Sequence, residues 1–70
     1  MNSRPMPLMS DDYELRFESL FQAGRALAFP CDAHGGVLLD ALSDTARQNY
    51  LFARAVVGRD YAMPIVLRRH

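Results

Sequence analysis

One stretch, Asp40–Gly58, constrains the fold more than any other part of the 70-residue chain. The hydroxyl of Ser43 can accept a hydrogen bond from the first unpaired backbone N–H groups of a helix. Asp44 places a negative charge near the positive end of the helix dipole. Gly58 can adopt the left-handed conformation that commonly follows a last helical turn. The stretch therefore predicts one helix of roughly four turns.

This helix has one broad apolar side when its residues are placed at about 100° intervals. Its members are Leu42, Ala46, Asn49, Tyr50, Phe52, Ala53, Val56 and Val57. A side this wide is expected to cover a sheet, with Phe52 in the core.

Two runs before the helix predict a β-hairpin. Asp12–Phe21 could also form a helix with an apolar stripe, but Arg25–Cys31 alternates with the two-residue period of a strand. Joining the runs through the three-residue loop Gln22–Gly24 matches their apolar faces. The predicted opposed pairs are Phe21/Arg25, Ser19/Leu27, Phe17/Phe29 and Leu15/Cys31.

Two further strands complete the predicted sheet. Val37–Leu39 follows a glycine-containing turn, and Ala62–Arg68 ends the chain with Pro64, which is confined to a sheet edge or to the start of a strand. The fold class is therefore α+β: a small antiparallel sheet in β-β-β-α-β order, with one amphipathic helix packed across one face. Residues 1–10 lack periodicity and predict a flexible N-terminal tail, and residues 11–70 a single small domain.

The length and composition limit what such a domain can do. A chain this short builds a thin core, and its single cysteine excludes an internal disulfide. Eight basic residues balance eight acidic ones. No run approaches the roughly 20 apolar residues that span a bilayer. We expect no membrane insertion, a reducing cytoplasmic location, and a partner chain that adds stability.

Two surfaces are candidates for that partner. Leu51 and Ala55 lie on the helix away from its broad apolar side, as a second, narrow stripe. Ile65, Val66 and Leu67 are consecutive, so the last strand is apolar on both faces, and exposed strand edges invite pairing. The sequence favours a homodimer, or else a protein partner, with the strand ahead of the helix stripe.

An alternative function uses the arginines. Arg47 and Arg54 are seven residues apart on one helix flank, and Arg59 follows just beyond. Such a flank could serve an accessory nucleic-acid-binding protein. The formal net charge of zero and the pI near 6.7 argue against it, because a nucleic-acid footprint commonly makes a domain basic.

Cys31 and His34 form a Cys-x-x-His pair, a spacing that zinc ligands use. A structural zinc site needs four ligands, and His70 and nearby carboxylates would have to supply the rest. The same pair could act as nucleophile and base, but a thin domain with one helix offers little pocket for a substrate. We therefore assign no catalytic, cofactor or metal residue. The sequence predicts a small non-catalytic interaction module that self-associates.

Overall fold

A three-stranded antiparallel sheet forms the base of the fold in the computed structural model, which describes residues 13–69. The strands are β1 (Tyr13–Glu18), β2 (Ala26–Cys31) and β3 (Ile65–Arg68), in the spatial order β2-β1-β3. The central strand β1 pairs antiparallel with both neighbours.

Helix α1 spans Asp44–Ala55 and follows a short 3-10 helix, Leu39–Ala41. The Ser43 hydroxyl accepts a hydrogen bond from the backbone N–H of Ala46 at 3.1 Å, which is the predicted N-cap. Gly58 has a φ of +89°, the left-handed conformation expected beyond the helix. With one helix packed on one face of an antiparallel sheet, the predicted α+β class is confirmed.

Within residues 13–69, six hydrophobic residues form the buried core. The rings of Phe17, Phe29 and Tyr50 meet edge to face, with centroids 5.4 to 6.4 Å apart, in the arrangement that aromatic quadrupoles favour. These rings join the inner face of the sheet, the face that α1 covers, to the helix. The buried residues are Leu15, Phe17, Phe29, Cys31, Ala53 and Val56.

The expectation that Phe52 lies in the core is wrong. Its side chain is 51% exposed, whereas its neighbour Ala53 is fully buried. Phe52 lies about 100° around the helix from Ala53. The narrow sheet does not extend far enough to cover a side chain in that direction. Asn49, also assigned to the apolar side, is exposed as well.

The hairpin forms, but its register differs from the predicted one by two residues. Phe17 lies opposite Leu27 and Leu15 opposite Phe29. The register differs because the turn is wider than the predicted three-residue loop. The hydroxyl of Ser19 accepts hydrogen bonds from the backbone N–H groups of Phe21 and Gln22, which makes Ser19 part of the turn. A shift of two keeps every side chain on its predicted face, since the period of a strand is two.

The third predicted strand is much shorter than expected. Val37 forms one isolated bridge with Cys31, and Leu38 donates its N–H to the carbonyl oxygen of Pro30 at 3.2 Å. The N–H of Leu39 then turns back to the Val37 carbonyl oxygen, and the 3-10 helix begins. The element order remains similar to the predicted β-β-β-α-β order.

The last strand begins later than predicted, at Ile65 instead of Ala62, and Pro64 directly precedes it. Its edge position in the sheet confirms the prediction from Pro64. The predicted tail, residues 1–10, lies outside the described residues. Within residues 13–69, no helix has both the length and the apolar character needed to cross a membrane.

Candidate functional site

The open edge of β3 is the strongest candidate site among the surfaces predicted from the sequence. In the order β2-β1-β3, one side of the β3 backbone pairs with β1 and the other side has no strand neighbour within residues 13–69. An edge of this kind presents backbone N–H and C=O groups that can pair with another strand.

The side chains of β3 alternate between the two faces of the sheet. Val66 lies opposite Leu15 and therefore points to the inner face, beside the core. Ile65 and Leu67 lie opposite the charged residues of β1 and point to the outer face, which α1 does not cover. Ile65 is 50% exposed and Val66 is 39% exposed, so both faces of the strand retain uncovered apolar surface.

The opposite edge of the sheet is covered by the chain itself. The loop Asp32–Gly36 folds back along β2 and leads into the bridge between Val37 and Cys31. A carboxylate oxygen of Asp32 accepts the N–H groups of His34 and Gly36, each at 2.8 Å. The bonds from the Gly36 and His34 N–H groups lower the pKa of the Asp32 carboxyl, because they stabilise its charged form.

The helix also favours the β2 side. Among the strands, α1 packs mainly against β2. Between the helix and the β3 side of the sheet lies a groove of about 300 Å³ with mostly apolar walls. It is lined by Leu15, Phe17, Tyr50, Arg54, Val57, Met63 and Pro64. The inner face next to β3 is therefore only partly covered.

A β-bulge shapes the start of the open edge. Ser19 pairs with Tyr61, and Arg16 pairs with Ile65. Between these two pairings, β1 has two residues, whereas the segment that leads into β3 has three, residues 62–64. The extra residue forms the bulge. Met63, in this bulge, is 76% exposed. Because Pro64 has no N–H to donate, a bulge is a position where it is tolerated.

Charged groups near β3 are engaged with partners on the β1 side. On the outer face, Arg16 pairs with Glu14 at 2.8 Å, and Arg69 approaches the same carboxylate at 3.9 Å. The guanidinium of Arg68 lies 5.7 Å from the centroid of the Tyr13 ring, a cation–π contact. These contacts draw the arginines at the end of β3 toward β1 and away from the open edge.

The structure does not bring the two predicted partner surfaces together. Leu51 and Ala55 are exposed on the solvent side of α1, opposite the buried Ala53. Ile65 and Leu67 point to the other face of the sheet, which the helix does not cover. A single partner surface cannot combine the helix stripe with the outer face of β3.

The three arginines of the nucleic-acid alternative each have a partner within the chain. A guanidinium N–H of Arg47 donates to a carbonyl oxygen of the 3-10 helix at 3.4 Å. The guanidinium of Arg54 lies 5.6 Å from the centroid of the Tyr50 ring, and that of Arg59 lies 3.6 Å from the Asp60 carboxylate. Arg47 and Arg54 share a helix flank, and both are exposed while making these local contacts.

Cys31 and His34 have different environments. Cys31 is fully buried in the core, while His34 is exposed in the loop that follows. Burial raises the pKa of the Cys31 thiol, and the nearby carboxylates of Asp32 and Glu14 raise it further. A buried thiol with a raised pKa is a weak nucleophile. Among the described residues, no three His, Cys, Asp or Glu side chains lie together in a metal-binding arrangement.

Sequence reasoning missed a second exposed apolar region at the hairpin turn. Phe21 is highly exposed, and it lines a cavity of about 180 Å³ together with Phe52, Arg25 and Tyr61. Alternation along β1 assigned Phe21 to the core face, since the pattern carries no sign of where the strand stops. The serine at position 19, a residue that favours turns, was the available signal.

The known proteins offer no guide to the role of these surfaces. Comparisons of the chain with protein-family models, with curated proteins and with solved structures gave no match.

Proposed function

We propose that this chain is a small non-catalytic interaction module that self-associates through the open edge of β3. The single observation that carries the proposal is the contrast between the edges of the sheet. The chain covers β2 with its own loop and helix, whereas β3 has no strand on its outer side within residues 13–69 and keeps half-exposed apolar side chains. A second copy is the partner that always accompanies the chain, and twofold dimers are the commonest closed assemblies.

The size of the core supports the same proposal. The six buried hydrophobic residues of the described part of the chain give a small domain little margin of stability. Pairing through β3 would cover Ile65 and Val66, which are the apolar side chains of that strand most exposed to water. Burial of apolar surface is the main favourable contribution to most protein associations.

The proposed function is binding without catalysis. The one cysteine of the chain, its strongest potential nucleophile, is buried, and burial raises the pKa of its thiol. We also propose a cytoplasmic setting, because an unpaired core cysteine fits a reducing compartment.

Sedimentation equilibrium tests the proposal across a series of protein concentrations. An edge of four residues makes a small interface, so we expect a reversible dimer with a dissociation constant in the micromolar range. Ile65→Lys places a charge on the edge and should give a folded monomer, because charged edge residues prevent strand pairing.

Leu51→Lys is the matched control, since Leu51 is 52% exposed and Ile65 50% exposed. The same substitution therefore removes a similar amount of buried surface in both variants, and Leu51→Lys should still dimerise. A wild-type protein that stays monomeric throughout would contradict the proposal. Loss of the dimer in Leu51→Lys alone would also contradict it, by moving the interface to the helix stripe.

A further inference from the structure

We infer that two copies pair through antiparallel β3 strands with Val66 of one copy directly opposite Val66 of the other, forming a six-stranded sheet. This inference rests on the proposed function and specifies its register. It follows from the symmetry of a dimer, from the side chains of β3 and from the position of α1.

Symmetry limits the possible registers. Two antiparallel strands related by a twofold axis share one sheet, so the inner faces of both copies lie on the same side. Residues directly opposite each other in an antiparallel pair point to the same face, and successive residues point to opposite faces. A residue of β3 can therefore lie opposite itself or opposite a residue an even number of positions away. The registers are centred on Ile65, Val66, Leu67 or Arg68.

Only the register centred on Val66 pairs the three apolar residues of β3 with one another, and it places Arg68 opposite Pro64, just before the partner's strand. It places Ile65 opposite Leu67 on the outer face and Val66 opposite Val66 on the inner face. Cross-strand pairs of β-branched and aliphatic side chains stabilise a sheet. Each of the three apolar residues of β3 then has an apolar neighbour in the opposing strand.

The other registers create mismatches. A register centred on Leu67 places Val66 opposite Arg68, and one centred on Arg68 leaves Ile65 and Val66 without a partner in the opposing strand. A register centred on Ile65 places Val66 and Leu67 opposite Pro64 and Met63, which lie in the bulge before the regular strand.

On the inner face, Gly35 of the loop after β2 lies beside Val66, so the second strand must approach along the edge of β3 and not over this face. Because α1 packs mainly against β2, the two helices would lie on the same face of the joined sheet but away from its centre. Arg68 is stacked on Tyr13, on the β1 side of its strand, so its charge does not occupy the joint. The joined sheet would have the order β2-β1-β3-β3-β1-β2. Both of its edges would then be β2, the edge that the chain covers itself.

Cysteine cross-linking tests this register on the full chain. Opposed side chains in a sheet have Cβ atoms about 4.5–5.5 Å apart, close to the separation of about 3.5–4.5 Å in a disulfide. Val66→Cys should therefore form a covalent dimer under mild oxidation. The wild-type protein should not, because Cys31 is fully buried.

Two further variants serve as matched controls on the same strand. Ile65→Cys and Leu67→Cys should each fail to cross-link alone, because position 65 of one copy lies opposite position 67 of the other. An equimolar mixture of the two should give the covalent heterodimer. This pattern of one self-linking variant and one complementary pair is specific to a centre at Val66.

The outcomes separate this inference from the proposed function. If sedimentation detects a dimer but Leu67→Cys cross-links alone and Val66→Cys does not, the register is wrong while self-association stands. If sedimentation detects no wild-type dimer, the proposed function fails and the register fails with it. Circular dichroism of each variant establishes that the substituted chain is folded before the cross-linking result is used.

Discussion

The two edges of this sheet, β2 and β3, differ in how much of their surface the chain covers. Beside β2, the loop Asp32–Gly36 folds back, Val37 bridges to Cys31, and α1 packs above the strand. Beside β3, within the described residues, no further strand pairs. Phe29 and Cys31 on β2 are accordingly buried, whereas Val66 on β3 is 39% exposed. The contrast indicates that stability is concentrated on the β2 side, and our proposal places binding on the β3 side.

The largest effect should come from removing an aromatic ring on the covered side. Phe17 is 1% exposed and contacts the rings of Phe29 and Tyr50. Phe17→Ala should lower the free energy of unfolding by about 3–5 kcal/mol, enough to unfold much of so small a domain. Urea denaturation followed by circular dichroism measures the change.

Phe52→Ala is the control for this prediction. Its ring is half exposed, so the same change should cost clearly less than in Phe17→Ala. Equal losses in the two variants would mean that Phe52 contributes to the core as much as Phe17 does, contrary to the structure.

The sequence predicted the core better than it predicted the ends of the elements. Alternation along β1 and β2 placed Leu15, Phe17 and Phe29 on the core face, because the period of a strand determines faces without reference to register. The register itself depends on the turn, and the hydroxyl contacts of Ser19 that widen this turn are not visible in the pattern. The short third strand has a similar cause, since the Asp32 loop determines how much of the chain runs beside β2.

The candidate site was predictable in part. The consecutive apolar residues Ile65, Val66 and Leu67 after Pro64 indicated an edge strand with two apolar faces, and the strand order agrees. The groove beside β3 and the exposure of Phe52 were not predictable. Both depend on where the helix lies across the sheet, and a helical wheel gives the direction of a side chain but not the width of the surface opposite it.

A smaller effect should follow from changing a glycine in the loop that covers β2. Gly35 has a φ of +88°, and a Cβ built there would lie 3.2 Å from a methyl carbon of Val66. Gly35→Ala should therefore cost about 1–2 kcal/mol for the left-handed backbone, with an added cost for displacing Val66. Thermal denaturation measures the loss.

Gly24→Ala provides the comparison, because Gly24 has a φ of +82° with no atom within 4 Å of the added Cβ. It should lose stability through its backbone alone. If Gly35→Ala loses no more than Gly24→Ala, the loop does not lie against Val66 and the covered region ends short of β3.

The smallest effect should be a pH dependence that arises from Asp32. Its carboxylate accepts the N–H groups of Gly36 and His34, which lowers its pKa in the folded state. A lowered folded pKa contributes stability that is fully present above the unfolded pKa and is lost as the pH falls through the folded value. The urea concentration at the midpoint of unfolding of the wild-type protein should therefore decrease when the pH is lowered below about 4.

Asp32→Asn retains an oxygen that can accept the same hydrogen bonds but does not titrate. Its urea midpoint should fall less than that of the wild type over the same acid range. Identical acid curves for the two proteins would mean that the Asp32 contacts do not hold the loop along β2.

Hydrogen exchange of the β3 backbone, followed by NMR at several protein concentrations, tests the contrast between the two edges most directly. In the monomer, alternate N–H groups of β3 point away from β1 and should exchange quickly, while those bonded between β1 and β2 exchange slowly. As the concentration rises, the outward β3 groups should become protected, and the protection in β2 should change little. Outward β3 groups that exchange at the same rate at every concentration would contradict the account.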